Sequence, residues 1–328
     1  MSAPDDVVEL AERRAEARAA KDFAAADALR GAIAERGWAV VDTSDGFTLE
    51  PHDEDVAPQQ PVAAREVASV LEDEATYDVA IHWVAEGWLD DIDRAAAAFR
   101  ANAGSRRLQF VVADVTGDAA DRWSETDDVE VVPLEEGTGW AAARNAGLRR
   151  TLAPIVIAVD GSVEPAGDLF SPIETALKDP TVGVCGPFGI VTPDLREFAE
   201  APGAGPCDAI EGYLMAFRRE ILASVGGFDE KYRWYRTADI EWSFRVKDAG
   251  FVCAVVPMPV VKHEHRMWEA ASEEQRASWS KRNFYRFLDR FRDRWDLVLS
   301  GEPDHDDHDH AHDHDHQHEH PVTMPEGR

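Results

Sequence analysis

Residues 77–159 repeat one pattern: a short, nearly continuous apolar run, then a longer stretch with apolar residues at helical spacing. The runs are 77–84, 108–112, 129–134 and 154–159, and the helical stretches include 89–99 and 139–152. A strand that is apolar on both faces must be covered on both faces. Helices inserted between successive strands supply that cover, and they force the strands to run parallel. The pattern therefore predicts an α/β fold with a mostly parallel central sheet flanked by helices. Ligands in such sheets gather at the carboxyl ends of the strands. Two acidic residues fall at such ends, Asp114 after the second run and Asp160 after the fourth.

A second informative stretch is 232–265. Asp239, Glu241 and Arg245 lie near the start of a predicted helix, where unpaired N–H groups and the helix dipole favour carboxylates. Gly250 stops that helix. The apolar run 251–256 follows as a buried strand closed by Pro257, and His263 and His265 come just after it.

The chain has 328 residues, enough for one large α/β domain with appendages. It carries 64 acidic against 34 basic residues, a formal net charge of -30. Neutralising phosphates needs a basic face, so general nucleic-acid binding is not expected, nor is attachment to an anionic membrane. Cys185, Cys207 and Cys253 form no CxxC pair and read as buried thiols. No apolar run approaches the ~20 residues of a membrane span, and no export signal opens the chain, so a cytoplasmic protein is expected.

Residues 1–50 read as a helical hairpin followed by a β-hairpin. Phe23, Ala26, Leu29 and Ile33 share one helix face, and the turn at Ser44-Asp45-Gly46 joins the two strands. Residues 51–66 are polar and proline-rich and read as a linker, and 67–300 as the main domain. Within it, Phe284, Phe287, Phe291 and Trp295 form one apolar helix face, expected to pack on the core. Arg282, Arg286, Arg290 and Arg294 lie opposite and leave a lipid-surface contact open. Residues 301–328 read as a disordered tail, with eight of the twelve histidines between 304 and 320. Imidazoles suit Zn²⁺ or Ni²⁺, so loose metal binding by the tail is one expectation; a solvated tail that changes charge near neutral pH is the other.

Three motifs carry a resemblance. Gly139-x-x-x-Ala143-Arg144-Asn145-x-Gly147 precedes a strand ending at Asp160. The segment 209–232 contains a Gly-Gly-Phe-Asp-Glu turn. The 232–265 stretch holds an acid, an Arg, a Gly and a late His. Taken in order, they resemble family 2 glycosyltransferases over about 70–265, and residues 1–50 are similar to the small C-terminal module of cysteinyl-tRNA synthetases. The first resemblance implies a GT-A fold and inverting sugar transfer from a nucleotide sugar to an unknown glycan, lipid or protein acceptor. It also implies Mg²⁺ or Mn²⁺. By the same resemblance Asp114, Arg144, Asn145 and Asp160 would hold the nucleotide sugar. Asp160 and His263 would face the metal and diphosphate, and Asp239 would be the base. Each has a structural alternative: Asp114 as a turn cap, Arg144 and Asn145 as packing groups, Asp239 as a helix cap, Glu241 as a partner of Arg245, and His263 and His265 as satisfied structural histidines.

The departures from the family pattern are specific. The DxD motif reads Asp160-Gly161-Ser162, and the acidic pair reads Ala238-Asp239. A serine hydroxyl is a far weaker ligand for a hard cation than a carboxylate. A catalytically degenerate nucleotide-sugar binder or scaffold with a metal-binding tail is therefore the competing reading.

Overall fold

The structure is a computed structural model. It describes residues 3–19, 23–34, 36–43, 46–51, 60–123, 126 and 128–300, so the His-rich tail and its expected Zn²⁺ or Ni²⁺ binding lie outside the described residues. The chain divides into two compact units, Met1–Gln59 and Gln60–Arg328.

The first unit is two helices, α1 (Asp5–Ala19) and α2 (Phe23–Ala34), then an antiparallel pair, β1 (Trp38–Thr43) and β2 (Gly46–Pro51). Val7, Ala11, Ile33, Trp38 and Val40 form its small core.

The second unit opens with β3 (Val79–Ala85), α3 (Leu89–Ala101), β4 (Leu108–Asp114), α4 (Ala119–Trp123), β5 (Val129–Pro133), α5 (Trp140–Leu148) and β6 (Ile155–Val159). It continues through β7 (Val163–Pro165), α6 (Phe170–Leu177), β8 (Val182–Gly186), β9 (Gly189–Val191), β10 (Ala199–Glu200), β11 (Gly205–Cys207), β12 (Ala209–Ile210) and β13 (Leu214–Arg218). It ends with α7 (Ile221–Val225), α8 (Ala238–Asp248), β14 (Val252–Val255), β15 (Val260–Lys262), α9 (Arg266–Ala270) and α10 (Glu273–Phe291). Residues 60–66, read above as the end of a linker, pack on this unit: Val62 bridges Leu134, and Arg149 donates to the carbonyls of Ala64 and Val67.

The central sheet has the order β11-β14-β8-β13-β6-β3-β4-β5. Strands β5, β4, β3 and β6 run parallel, as the strand–helix alternation requires. Strand β13 runs antiparallel between β6 and β8, and β14 returns parallel to β8. On one face Ile81, Trp83 and Phe110 pack against Phe99 of α3 and Phe170 of α6. On the other, Val156, Ala158, Met215 and Phe217 pack against Trp140 and Leu148 of α5 and Trp242 of α8. A further cluster joins α8 to α10, where Phe284, Phe287 and Phe291 are buried around Phe244 and Ile240.

That burial gives the aromatic face of α10 a core role. The arginines opposite are largely neutralised: Arg286 pairs with Asp229, Arg290 with Glu241, and Arg294 with Asp248 and Asp296. The cationic stripe that left a lipid surface open is thus answered within the chain. Glu241 is likewise structural. It is 2 % exposed and takes both Arg245, four residues on, and Arg290 from α10.

Helix α8 ends where Gly250 enters the left-handed region at φ 90. Its N–H bonds the carbonyl of Lys247, and Phe251 N–H bonds that of Val246, the paired pattern that satisfies the last carbonyls of a helix. A second glycine serves closeness. A Cβ on Gly147 would lie 2.0 Å from the His82 ring, so α5 can rest on β3 only without a side chain there. Gly147→Ala should therefore cost about 1–3 kcal/mol from overpacking. A urea midpoint equal to the wild type would refute that packing.

Candidate functional site

Strand β6 ends at Asp160, and the backbone there turns at once into β7. Asp160 Oδ1 accepts bonds from the Ser162 amide (2.8 Å) and the Ser162 hydroxyl (2.5 Å). Its Oδ2 lies 3.2 Å from His265 Nε2. Burial pushes the Asp160 carboxyl up, but His265 and the Ser162 bonds more than offset it and hold it at about 2. Strand β15 pairs with β7, and His263 N–H continues that ribbon by donating to Ser162 O (2.7 Å). The ribbon is what brings the histidine segment back over the end of β6.

Two cavities meet at this point. The larger, about 230 Å³, is lined by Asp160, Glu211, Tyr213, Arg236, Asp239 and His265, among others. The smaller, about 40 Å³, lies under the end of β3 and is lined by Glu86, Asp91, Asp160, Ser162 and His265. Aromatic rings frame the larger one. Tyr213 and Tyr235 both stand edge-on to the His265 ring, and the Tyr235 hydroxyl lies 3.2 Å from His265 Nδ1.

Asp239 reaches this cavity from the first turn of α8. Its Oδ2 accepts from Gly212 N–H (2.7 Å) and its Oδ1 from Ile240 N–H (2.9 Å). Burial raises its pKa, with those backbone bonds opposing. The structure thus brings Asp160 and Asp239, 79 positions apart in sequence, to one hollow.

The other sequence-derived residues sit differently. Asp114 is fully buried and lines neither cavity. Its carboxylate accepts from Thr116 N–H and Oγ1, Gly117 N–H and Ala119 N–H, which makes it the cap of the turn into α4. Arg144 lies behind the site. It donates to His82 O (2.7 Å) and Val159 O (3.3 Å), joining the middle of β3 to the end of β6. Burial lowers its pKa to about 10 against the pull of Asp160 and Glu86. Asn145 is a packing group that holds the Gly-Gly-Phe-Asp-Glu turn through Phe228 N (2.7 Å) and O (2.8 Å). His263 lines the larger cavity, but its Nε2 lies 2.7 Å from Glu164, and the histidine on Asp160 is His265.

Sequence reasoning passed over Glu86, Glu211 and Arg236. Glu86 follows the apolar β3 run, and Glu211 precedes β13. Burial raises both carboxyls to about 7, assisted at Glu86 by Asp160 and at Glu211 by Asp239. An acid closing an apolar strand was the available signal at Glu86, the same one that marked Asp114 and Asp160.

Comparison with known proteins bears on this geometry. Residues 113–243 match the model of Glycosyl transferase family 2. The chain is 26% identical over 165 residues to an N-acetylglucosaminyl-diphospho-decaprenol L-rhamnosyltransferase of Mycobacterium tuberculosis (strain ATCC 25618 / H37Rv), covering 46% of this chain and 50% of that protein. A 48-residue segment is 56% identical to a cysteine–tRNA ligase of Opitutus terrae (strain DSM 11246 / JCM 15787 / PB90-1), 15% of this chain and 10% of the ligase. Among solved structures, that of GalNAc-T7 with UDP, GalNAc and Mn2+ superposes with a TM-score of 0.54 at 17% identity, covering 65% of this chain and 48% of that one. That likeness is one of fold. The chain spans about half the length of the rhamnosyltransferase it matches and a tenth of the ligase. The second unit thus resembles family 2 glycosyltransferases and has the GT-A fold.

The raised carboxyls make a stability prediction. Glu86 and Glu211 bind their protons more tightly folded than unfolded, so their contribution is complete below pH 4.5 and is lost as pH rises to about 7. Glu86→Gln should flatten the fall in unfolding free energy across that window, by an amount on the order of a few kcal/mol. Parallel wild-type and variant curves from urea titrations at pH 4.5 to 7.5 would contradict this.

Proposed function

We propose that this chain is a glycosyltransferase that moves a sugar from a nucleotide-sugar donor to an acceptor hydroxyl with inversion. The observation that carries the reading is the convergence of Asp160, bonded to His265, and Asp239 on one aromatic-framed cavity. The likeness of residues 113–243 to the family supports it.

In this reading the acceptor hydroxyl attacks the anomeric carbon from the face opposite the diphosphate. The new C–O bond forms as the anomeric C–O bond to phosphate breaks, and the electron pair leaves with the diphosphate. The hydroxyl proton passes to Asp239, whose pKa is raised by burial, which makes its carboxylate a stronger base. Its two backbone N–H partners fix the carboxylate's orientation. Tyr213 and Tyr235 hold His265 in place and shield the site from water.

A divalent cation is tested against the residues present. Among the described residues no group of three His, Cys, Asp or Glu side chains could hold a metal ion. The residues present would fit a cation bound largely through substrate phosphates, the usual habit of Mg²⁺, with the Asp160 carboxylate as its protein ligand and His265 orienting that carboxylate. Such a cation would neutralise the charge of the leaving diphosphate.

The competing reading, a nucleotide-sugar binder without turnover, draws on one observation. Ser162 directs both its amide and its hydroxyl to Asp160, where the family pattern has a second carboxylate. No helix among the described residues is long and apolar enough to cross a membrane. A cytoplasmic site of action remains part of the proposal.

The test is donor turnover with Mn²⁺ and a panel of UDP-, GDP- and dTDP-sugars. Wild type should release nucleoside diphosphate from at least one donor. Asp239→Asn should lower that rate by about 10²–10⁴-fold while donor binding persists. Binding across the panel without release by the wild type would defeat the transferase reading in favour of the binder.

A further inference from the structure

Acidic residues outnumber basic ones by 64 to 34 in this chain, so a basic side chain readily finds a partner. Arg94, Arg106, Arg150, Arg218, Arg245 and Arg294 all lie in ion pairs. Arg236 does not. It lines the larger cavity, its guanidinium lies 4.8 Å from the Trp268 ring centre, and it makes no ion pair among the described residues. Its Nε is buried without a hydrogen-bond partner. The next residue, Thr237, is 1 % exposed, and its Oγ1 is a second buried atom without a partner. Thr237 is also held at φ 72, a conformation uncommon for a β-branched residue.

Orphaned polar atoms beside a cavity cost stability unless a ligand completes them. Adjacent residues that line one hollow and carry unpartnered donors, one of them a guanidinium, are complementary to oxygens that bear negative charge. The neighbouring acids are occupied or restrained. Asp239 accepts two backbone N–H bonds, and Glu211 shares its surroundings with Lys262, which sits 3.5 Å from the Tyr213 ring centre.

We propose that Arg236 and Thr237 form an anion subsite for the acceptor substrate, taking phosphoryl or carboxylate oxygens attached to the sugar or carrier that is glycosylated. This rests on the transferase reading and deepens it. The acceptor is assigned in preference to the donor by position. Arg236 lies three residues before Asp239, just ahead of α8, and of the two cavities it lines only the larger, whereas the smaller lies under β3 beyond Asp160. An acceptor anchored at Arg236 would present its hydroxyl to the Asp239 carboxylate.

The experiment is calorimetric titration of the full chain saturated with UDP and Mn²⁺, using glucose 1-phosphate and glucose as probes. Wild type should bind the phosphorylated sugar about tenfold more tightly than the neutral one, the size of one charge-assisted contact. R236A should bring that ratio close to one while UDP affinity stays within about twofold. R236K, which keeps the charge and guards against a folding defect, should retain part of the preference. A ratio unchanged in R236A overturns the subsite. A matching loss of UDP affinity in R236A overturns the acceptor assignment and gives the guanidinium to the leaving diphosphate. If wild type binds no UDP, the transferase reading fails, while the ratio measured without UDP still decides the subsite.

Discussion

The contact between Asp160 Oδ2 and His265 Nε2 joins parts of the chain that lie 105 residues apart. Asp160 closes the parallel half of the sheet, and its own N–H bonds Tyr213 O at the start of β13. His265 arrives on the β7–β15 ribbon and is flanked by the two tyrosines. Behind them Arg144 ties the middle of β3 to the end of β6. Both cavities share the Asp160–His265 wall, so their depth and separation follow from this one link. A carboxylate held well below its ordinary range stays ionised in the site at neutral pH, and the acids around it must respond to that fixed charge.

Among the described residues, two arrangements of cations contrast. The buried Glu241 takes Arg245 and the half-exposed Arg290, which pins α8 to α10 and, through Arg245, to the carbonyls of Val225 and Gly227. Lys247 with Asp208 does the same for the segment before β12. Pairs like these are costly to break, because removing one partner strands a buried charge. Arg236 is of the other kind, a cation in a cavity wall without an acid of its own. Had the acidic excess been distributed only for solubility, a guanidinium beside Glu211 and Asp239 would be expected to pair. That it stacks on Trp268 indicates that shape holds it away from them.

The sheet was legible because its evidence is local. Apolar runs of strand length and helical spacing between them need no knowledge of distant residues, and the strand ends at Asp114 and Asp160 follow directly. The Gly250 stop and the Glu241–Arg245 pair were legible for the same reason. What sequence could not supply was which side chains the turns consume. Asp114 and Asp160 both close apolar strands, yet one is fully engaged by four donors of the following turn and the other faces a cavity. The two histidines show the same limit. His263 stays in the ribbon and meets Glu164, whereas at His265 the backbone leaves the ribbon for α9 and the ring turns to Asp160. Glu86, Glu211 and Arg236 acquire meaning only from neighbours far away in sequence.

The loss of a carboxylate at position 162 changes the site's electrostatics more than its shape. With serine there, Asp160 gains a hydroxyl donor beside the backbone N–H instead of a like-charged neighbour, and its ionised form is stabilised. The other carboxyl close to that charge is Glu86, raised to about 7 by burial and by Asp160 itself. Because Asp160 is one cause of the raised value, positive charge entering beside it must lower the Glu86 pKa by the same electrostatics that raised it. At neutral pH the site can therefore answer a cationic ligand by releasing a proton from Glu86. A second acidic residue in the strand-end motif would carry fixed charge instead. With serine at 162, Asp160 thus stays ionised beside a Glu86 carboxyl that is partly protonated at neutral pH, and a cationic ligand shifts that balance toward the ionised form.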